Sequence, residues 1–266
     1  MDLQQKRKER QDWLASLEFF DAHCQLFNHL NASLDNVTAS TKRLLAEMDR
    51  CGVAKALVYH GNATEVGIPF TNDEIAKAVK PYPDRFTGVW TILPEQCREI
   101  PPADKLFVKM AQNNIGALTL FPVAHRWQAN RLTIGKTMDA AAERKVPVIL
   151  KLDALDNAWK GLFDFMKEFP ETTAIVAGVR LWGSDRNIRP LLENYPNLCV
   201  ELGEYWVPEG IADLAKLYGA DRLLYGSDLP SFGFGSTMLS IVNSTLPYAD
   251  ITKIASGNIK RLLNWI

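Results

Sequence analysis

Short apolar runs rich in β-branched residues alternate with stretches whose apolar residues recur at helical spacing, along nearly the whole chain. The runs predict strands at 19–23, 54–59, 86–92, 116–121, 146–152, 174–179, 198–202 and 222–227. Between them, segments such as Thr-Lys-Arg-Leu-Leu-Ala-Glu-Met (41–48) and Thr-Met-Asp-Ala-Ala-Ala-Glu-Arg (137–144) predict amphipathic helices. The unit recurs eight times, at intervals of about 25–35 residues. Alternation of this kind requires parallel strands joined by right-handed crossovers. Eight units predict an α/β chain closed into a (β/α)8 TIM barrel, with an open doubly wound sheet as the rival. No G-x-G-x-x-G follows the first strand, as a dinucleotide-binding sheet would require. Polar residues instead end many different strands, which is how barrels build a site from eight loops.

Residues 1–18 predict a helical extension under the barrel, with Trp13, Leu14 and Leu17 at helical spacing, and 19–266 the barrel itself. The Leu-Pro-Ser-Phe-Gly-Phe-Gly-Ser stretch at 229–236 predicts a flexible loop placed as a lid or wall. The 266 residues, 47% hydrophobic, are enough for a sizeable core without staples. A net charge of −1 supplies no global pull toward nucleic acid or anionic lipid, and neither is expected as a partner. Four scattered cysteines with no C-x-x-C pair argue against a disulfide framework and a structural zinc. The charged start has no apolar run behind it and no stretch is long enough to span a bilayer, so a cytoplasmic protein is expected. A homo-oligomer is compatible with the sequence.

Asp228 ends an apolar strand before a Gly-rich loop, the place where barrel chemistry occurs. Lys151, Arg180, Arg126 and His125 follow predicted strand ends and together suit a carboxylate or phosphate, arginine offering a fork. Trp90, Trp127, Trp182, Tyr205, Trp206 and Phe232 fall at or beyond strand ends and suit an apolar-walled pocket for a small ring or sugar-like compound. His60, Glu201 and Glu204 also lie on the predicted top face. Cys24 adjoins His23 but should face the helices, because neighbours on a strand point to opposite sides, and it is expected to be a buried, inert thiol. The same geometry removes Ser227 as a triad partner of Asp228, and no G-x-S-x-G elbow is present.

The block Gly-Ala-Asp-Arg-Leu-Leu-Tyr-Gly-Ser-Asp-Leu-Pro (219–230) resembles the strand-eight signature of the amidohydrolase superfamily, in the single-metal branch that includes aminocarboxymuconate semialdehyde decarboxylase. Phe-Asp-Ala-His-Cys-Gln (20–25) resembles its strand-one D-x-H-x-H motif. Val-Pro-Val-Ile-Leu-Lys (146–151) and 169–178 resemble strands five and six, and 254–263 the helix that closes these barrels. The resemblance implies a TIM barrel, a divalent, zinc-like metal, and Asp228 as metal ligand and proton shuttle. It also marks the departures: Gln25 stands for the second strand-one histidine, and Lys151 and Gly178 for the histidines of strands five and six. Only His23 and Asp228 keep their ligand types, too few for tight zinc. No cofactor is therefore expected from the residues themselves. Lys151 is expected to pair with Asp228 in place of the missing cation; a carbamylated Lys151, or recruitment of Glu201 or Glu204, would keep a metal.

Two functions follow. One is a hydrolase or lyase acting on a small polar or carboxylated molecule, with Asp228, His23 and Lys151 catalytic and Arg180, Gln25, His125, Glu201 and Trp182 binding substrate. The other is a metal-free, catalytically inactive barrel that binds a small molecule.

Overall fold

The computed structural model describes residues 3–27, 37–180 and 183–266. Its elements run α1 (Leu3–Ser16), β1 (Phe19–Leu26), α2 (Val37–Cys51), β2 (Val53–His60), α3 (Ile68–Val79), β3 (Phe86–Thr91), α4 (Ala103–Gln112), β4 (Ile115–Thr119), α5 (Arg131–Arg144), β5 (Val148–Lys151), α6 (Trp159–Glu168), β6 (Ala174–Ala177), α7 (Asp185–Asn194), β7 (Leu198–Glu201), α8 (Gly210–Tyr218), β8 (Leu223–Leu224), α9 (Phe234–Val242), α10 (Tyr248–Thr252) and α11 (Asn258–Leu262). The eight strands pair in parallel in the order of the chain. Each lies between helices outside and the barrel interior, so both faces are apolar and the strands read as unbroken runs. β3 and β4 are buried at every position.

The helices turn one stripe inward. Leu106, Phe107 and Met110 form that stripe on α4, and Ile188, Leu191 and Leu192 on α7. α5 starts where Asn130 caps it reciprocally with Thr133. Arg10 donates to the Asn243 Oδ1 at 3.0 Å and Trp13 stacks on Tyr248 with centroids 4.1 Å apart, so α1 contacts the end of α9 and the start of α10.

Closure of the barrel positions the chemistry. The segment after β8 lies along β1: the Ala22 amide donates to the Tyr225 carbonyl (2.9 Å), the Asp228 amide to that of His23 (3.0 Å), and the Gln25 amide to that of Leu229 (2.9 Å). Asp228 is thereby fixed beside His23 and Gln25. Asn258 secures β8 from outside, its side-chain amide donating to the carbonyls of Ala220 and Leu223, each at 2.8 Å. The loop after β8 is shorter than its composition predicts. Phe234 is buried and opens α9, so residues 234–236 are helical and only 229–233 remain as loop. No described helix is long and apolar enough to cross a membrane.

Candidate active site at the mouth of the barrel

β1, β2, β5, β7 and the segment after β8 bring Asp21, His23, Gln25, Tyr59, Lys151, Glu201 and Asp228 together at the barrel mouth. Asp228 is the centre. Its backbone is left-handed (φ +49°), a conformation that aspartate tolerates better than most residues. Lys151 Nζ lies 3.1 Å from Asp228 Oδ1 and 3.3 Å from Oδ2. Gln25 Nε2 donates to the same Oδ1 at 3.5 Å, and His23 Nδ1 lies 3.4 Å from it. His23 and Asp228 are each 2% exposed, and the Lys151 side chain 14%. Tyr59 stacks on the His23 ring, with centroids 5.1 Å apart and planes within 10°.

Burial sets the proton inventory. It lowers the His23 pKa to about 4, with the Lys151 charge adding to the effect against Asp228, so the imidazole is neutral at pH 7. Burial pushes Asp21 up to about 7, although its carboxylate accepts from the Ser227 hydroxyl (2.5 Å) and from the amides of Ser227 and His23 (3.0 Å each). Glu201, fully buried, is raised well above the usual carboxylate range, first by burial and then by repulsion from Asp21. It sits in a cradle that only glycines leave open: a Cβ on Gly226 would lie 2.0 Å from Glu201 Oε1, and one on Gly203 2.5 Å. The Gly203 amide donates to Oε1, while Oε2 and His23 Nδ1, 3.8 Å apart, have no hydrogen-bond partner.

Beside this cluster lies a cavity of about 340 Å³, within the size range of small-molecule sites. Gln25, Lys151, Asp153 and Thr64 give it polar groups, and Tyr59, Phe121, Val123 and Ala124 give it apolar wall. Its aromatics are not those that strand ends suggested. Trp90 donates from its indole to the Asn72 carbonyl (2.9 Å) between α3 and β3, Tyr205 donates to Asp185 (2.9 Å), and Trp206 packs edge-on against Phe232. Tyr59 and Phe121 went unnamed in the sequence because an aromatic ending an apolar strand looks like core.

The other candidates are dispersed. Arg180 pairs with buried Glu204, leaves its side chain 65% exposed and does not line the cavity. His125 Nε2 lies 2.8 Å from the Ala63 carbonyl, behind Phe121. His60 is buried and accepts from the Asn62 amide at 3.1 Å. Glu201 lies beneath the cavity rather than in its wall. Arg126 is exposed on the loop after β4, and Trp182 lies outside the described residues. Cys24 is fully buried, its thiol pushed well up by burial. Ser227 bonds Asp21 rather than His23.

The described residues of the mouth do not fit a divalent metal. Among the described residues no group of three or more histidines, cysteines, aspartates or glutamates could hold one. Lys151 presents its Nζ, and Gln25 its donor nitrogen, to Asp228.

A family model described as Amidohydrolase matches residues 21–265. No curated protein matches the chain by sequence. Among solved structures, 5-carboxyvanillate decarboxylase from Sphingomonas paucimobilis superposes with a TM-score of 0.67 at 15% identity, over 93% of this chain and 99% of that one. 4-Oxalomesaconate hydratase from Rhodopseudomonas palustris gives 0.65 at 17%, over 93% and 96%. A dihydroxybenzoic acid decarboxylase from Polaromonas sp. JS666, with bound manganese and an inhibitor, gives 0.68 at 15%, over 93% and 97%. At such identities these structures speak for the barrel alone. The family match, by contrast, runs through every strand from Asp21 onward, and the chain belongs to the amidohydrolase family.

Proposed function

We propose that the chain is an enzyme of hydrolase or lyase type that acts on a small carboxylated molecule at the barrel mouth, with most of the family's metal-ligand positions replaced. The observation that carries this reading is the Lys151 ammonium, held at Asp228 while it lines a cavity of about 340 Å³. A substrate carboxylate meets its counter-charge at Lys151. The rings of Tyr59 and Phe121 supply apolar contact for the rest of the molecule. Asp228 is placed to accept or return a proton, and His23, kept neutral by burial, orients that carboxylate from behind. Decarboxylases of 5-carboxyvanillate and dihydroxybenzoic acid among the structural neighbours are compatible with a carboxylated substrate.

One observation favours a binding barrel without turnover: Lys151 engages both oxygens of Asp228 and ties up the acid. A panel of small carboxylated ring compounds, 2,6-dihydroxybenzoate among them, separates the two. Binding is followed by thermal shift and turnover by mass spectrometry of the products. The expected result is binding with turnover, turnover falling at least 100-fold in Asp228→Asn with binding kept, and binding lost in Lys151→Met. Binding without turnover supports the second reading, and no binding by any compound overturns both.

A further inference from the structure

We infer that Lys151 takes the place of the metal ion in this chain, so that a fixed ammonium is the resident cation of the mouth and the site excludes zinc and manganese. The inference refines the proposed function but does not depend on turnover. Two donors from two strands, Lys151 Nζ at 3.1 Å and Gln25 Nε2 at 3.5 Å, converge on a single oxygen, Asp228 Oδ1, with His23 Nδ1 3.4 Å away. A divalent ion bound to that oxygen would need to sit about 2.0–2.2 Å from it. Lys151 Nζ would then be a like charge at the ion's side, beside an Asp228 that is almost fully buried. The amide of Gln25 turns a hydrogen-bond donor, not a lone pair, toward the same point.

Among the described residues, no other strand restores the ligand set. Gly178, at the end of β6, has no side chain, and a Cβ there would lie 3.6 Å from Glu204 Oε1. Glu204 is itself engaged by Arg180. Glu201 is fully buried and its Oε1 is taken by the Gly203 amide. The acid of the mouth thus already has its counter-charge, and that counter-charge is covalently part of β5. Such an exchange keeps Asp228 neutralised inside the barrel, where an unpaired carboxylate is costly.

The test reads metal, not activity. Purified chain is dialysed against zinc or manganese, then against buffer, and its metal content is measured by mass spectrometry beside that of the Gln25→His/Lys151→His variant. The wild-type chain is expected to retain no stoichiometric metal, and the variant about one zinc per chain through His23, Asp228 and the two installed imidazoles. One equivalent in the wild type, lost in Asp228→Ala, overturns the inference, as does a folded variant that binds no zinc. If the variant does not fold, the wild-type measurement decides alone. Because no substrate is involved, a metal-free chain that turns nothing over defeats the functional proposal while leaving the lysine in the metal's place.

Discussion

Asp21, His23 and Glu201 lie buried at the floor of the mouth, and burial shifts the proton affinity of each. Asp21 shows the consequence most directly. The folded chain keeps its proton up to about pH 7, whereas an unshifted carboxyl gives it up near 3.8, so between those values the folded state binds one proton more than the unfolded state. Stability from this group is therefore full below pH 3.8 and falls as pH rises toward 7. In Asp21→Asn that dependence is gone. Relative to wild type, the variant should gain about 1.4 kcal/mol of unfolding free energy for each pH unit across this window. Urea denaturation of both chains from pH 4.5 to 7 checks it. Parallel curves would show that Asp21 stays ionised, held by Ser227. The sequence made Asp228, Lys151 and His23 legible because each stands at a strand end in the order of a known motif. It could not show that Glu201 is buried outright, since the two glycines that admit it, Gly203 and Gly226, read as ordinary turn residues. Nor could it show that Arg180 is spent on Glu204, a pairing set by the loops after β6 and β7.

The eight strands were readable because parallel strands buried on both faces leave unbroken apolar runs, and the helices because they do not. Boundaries were harder where hydrogen bonding, not hydrophobicity, ends the element. β8 spans only Leu223–Leu224, although the apolar pattern continues to Tyr225, because the chain then leaves β7 and bonds to β1 in irregular register. So short a strand depends on its neighbours. Asn258 on α11 supplies two of its fastenings, and the residue is buried. Asn258→Ala strips the donors from the Ala220 and Leu223 carbonyls, which should cost about 1–3 kcal/mol in unfolding free energy. Equilibrium denaturation measures this, and a loss within experimental error would mean that water reaches those carbonyls. Since Asp228 follows β8 by four residues, loosening the strand should also weaken ligand binding at the mouth.

At the scale of the molecule, the site is distributed. Gln25 comes from β1, Tyr59 from β2, Phe121 from the segment after β4 and Lys151, paired with Asp228 from beyond β8, from β5, so a ligand in the cavity touches strands on opposite sides of the barrel. The Lys151–Asp228 pair already ties β5 to the segment after β8 through the mouth, and a bound ligand adds links from β1 and β2. A ligand seated against Lys151 therefore acts on global unfolding rather than on one loop. At 100 times its Kd it should add about 2.7 kcal/mol. For a chain of this size each kcal/mol raises Tm by about 2–4 °C, so a rise of about 5–10 °C is expected for a carboxylated ring compound that binds. Hydrogen exchange provides the sharper measurement. Protection should increase together in β1, β2, β5 and β8, and the increase should vanish in Lys151→Met. Protection confined to the loop at 229–233 would mean that the compound binds at the rim, and that the buried ammonium does not recognise it.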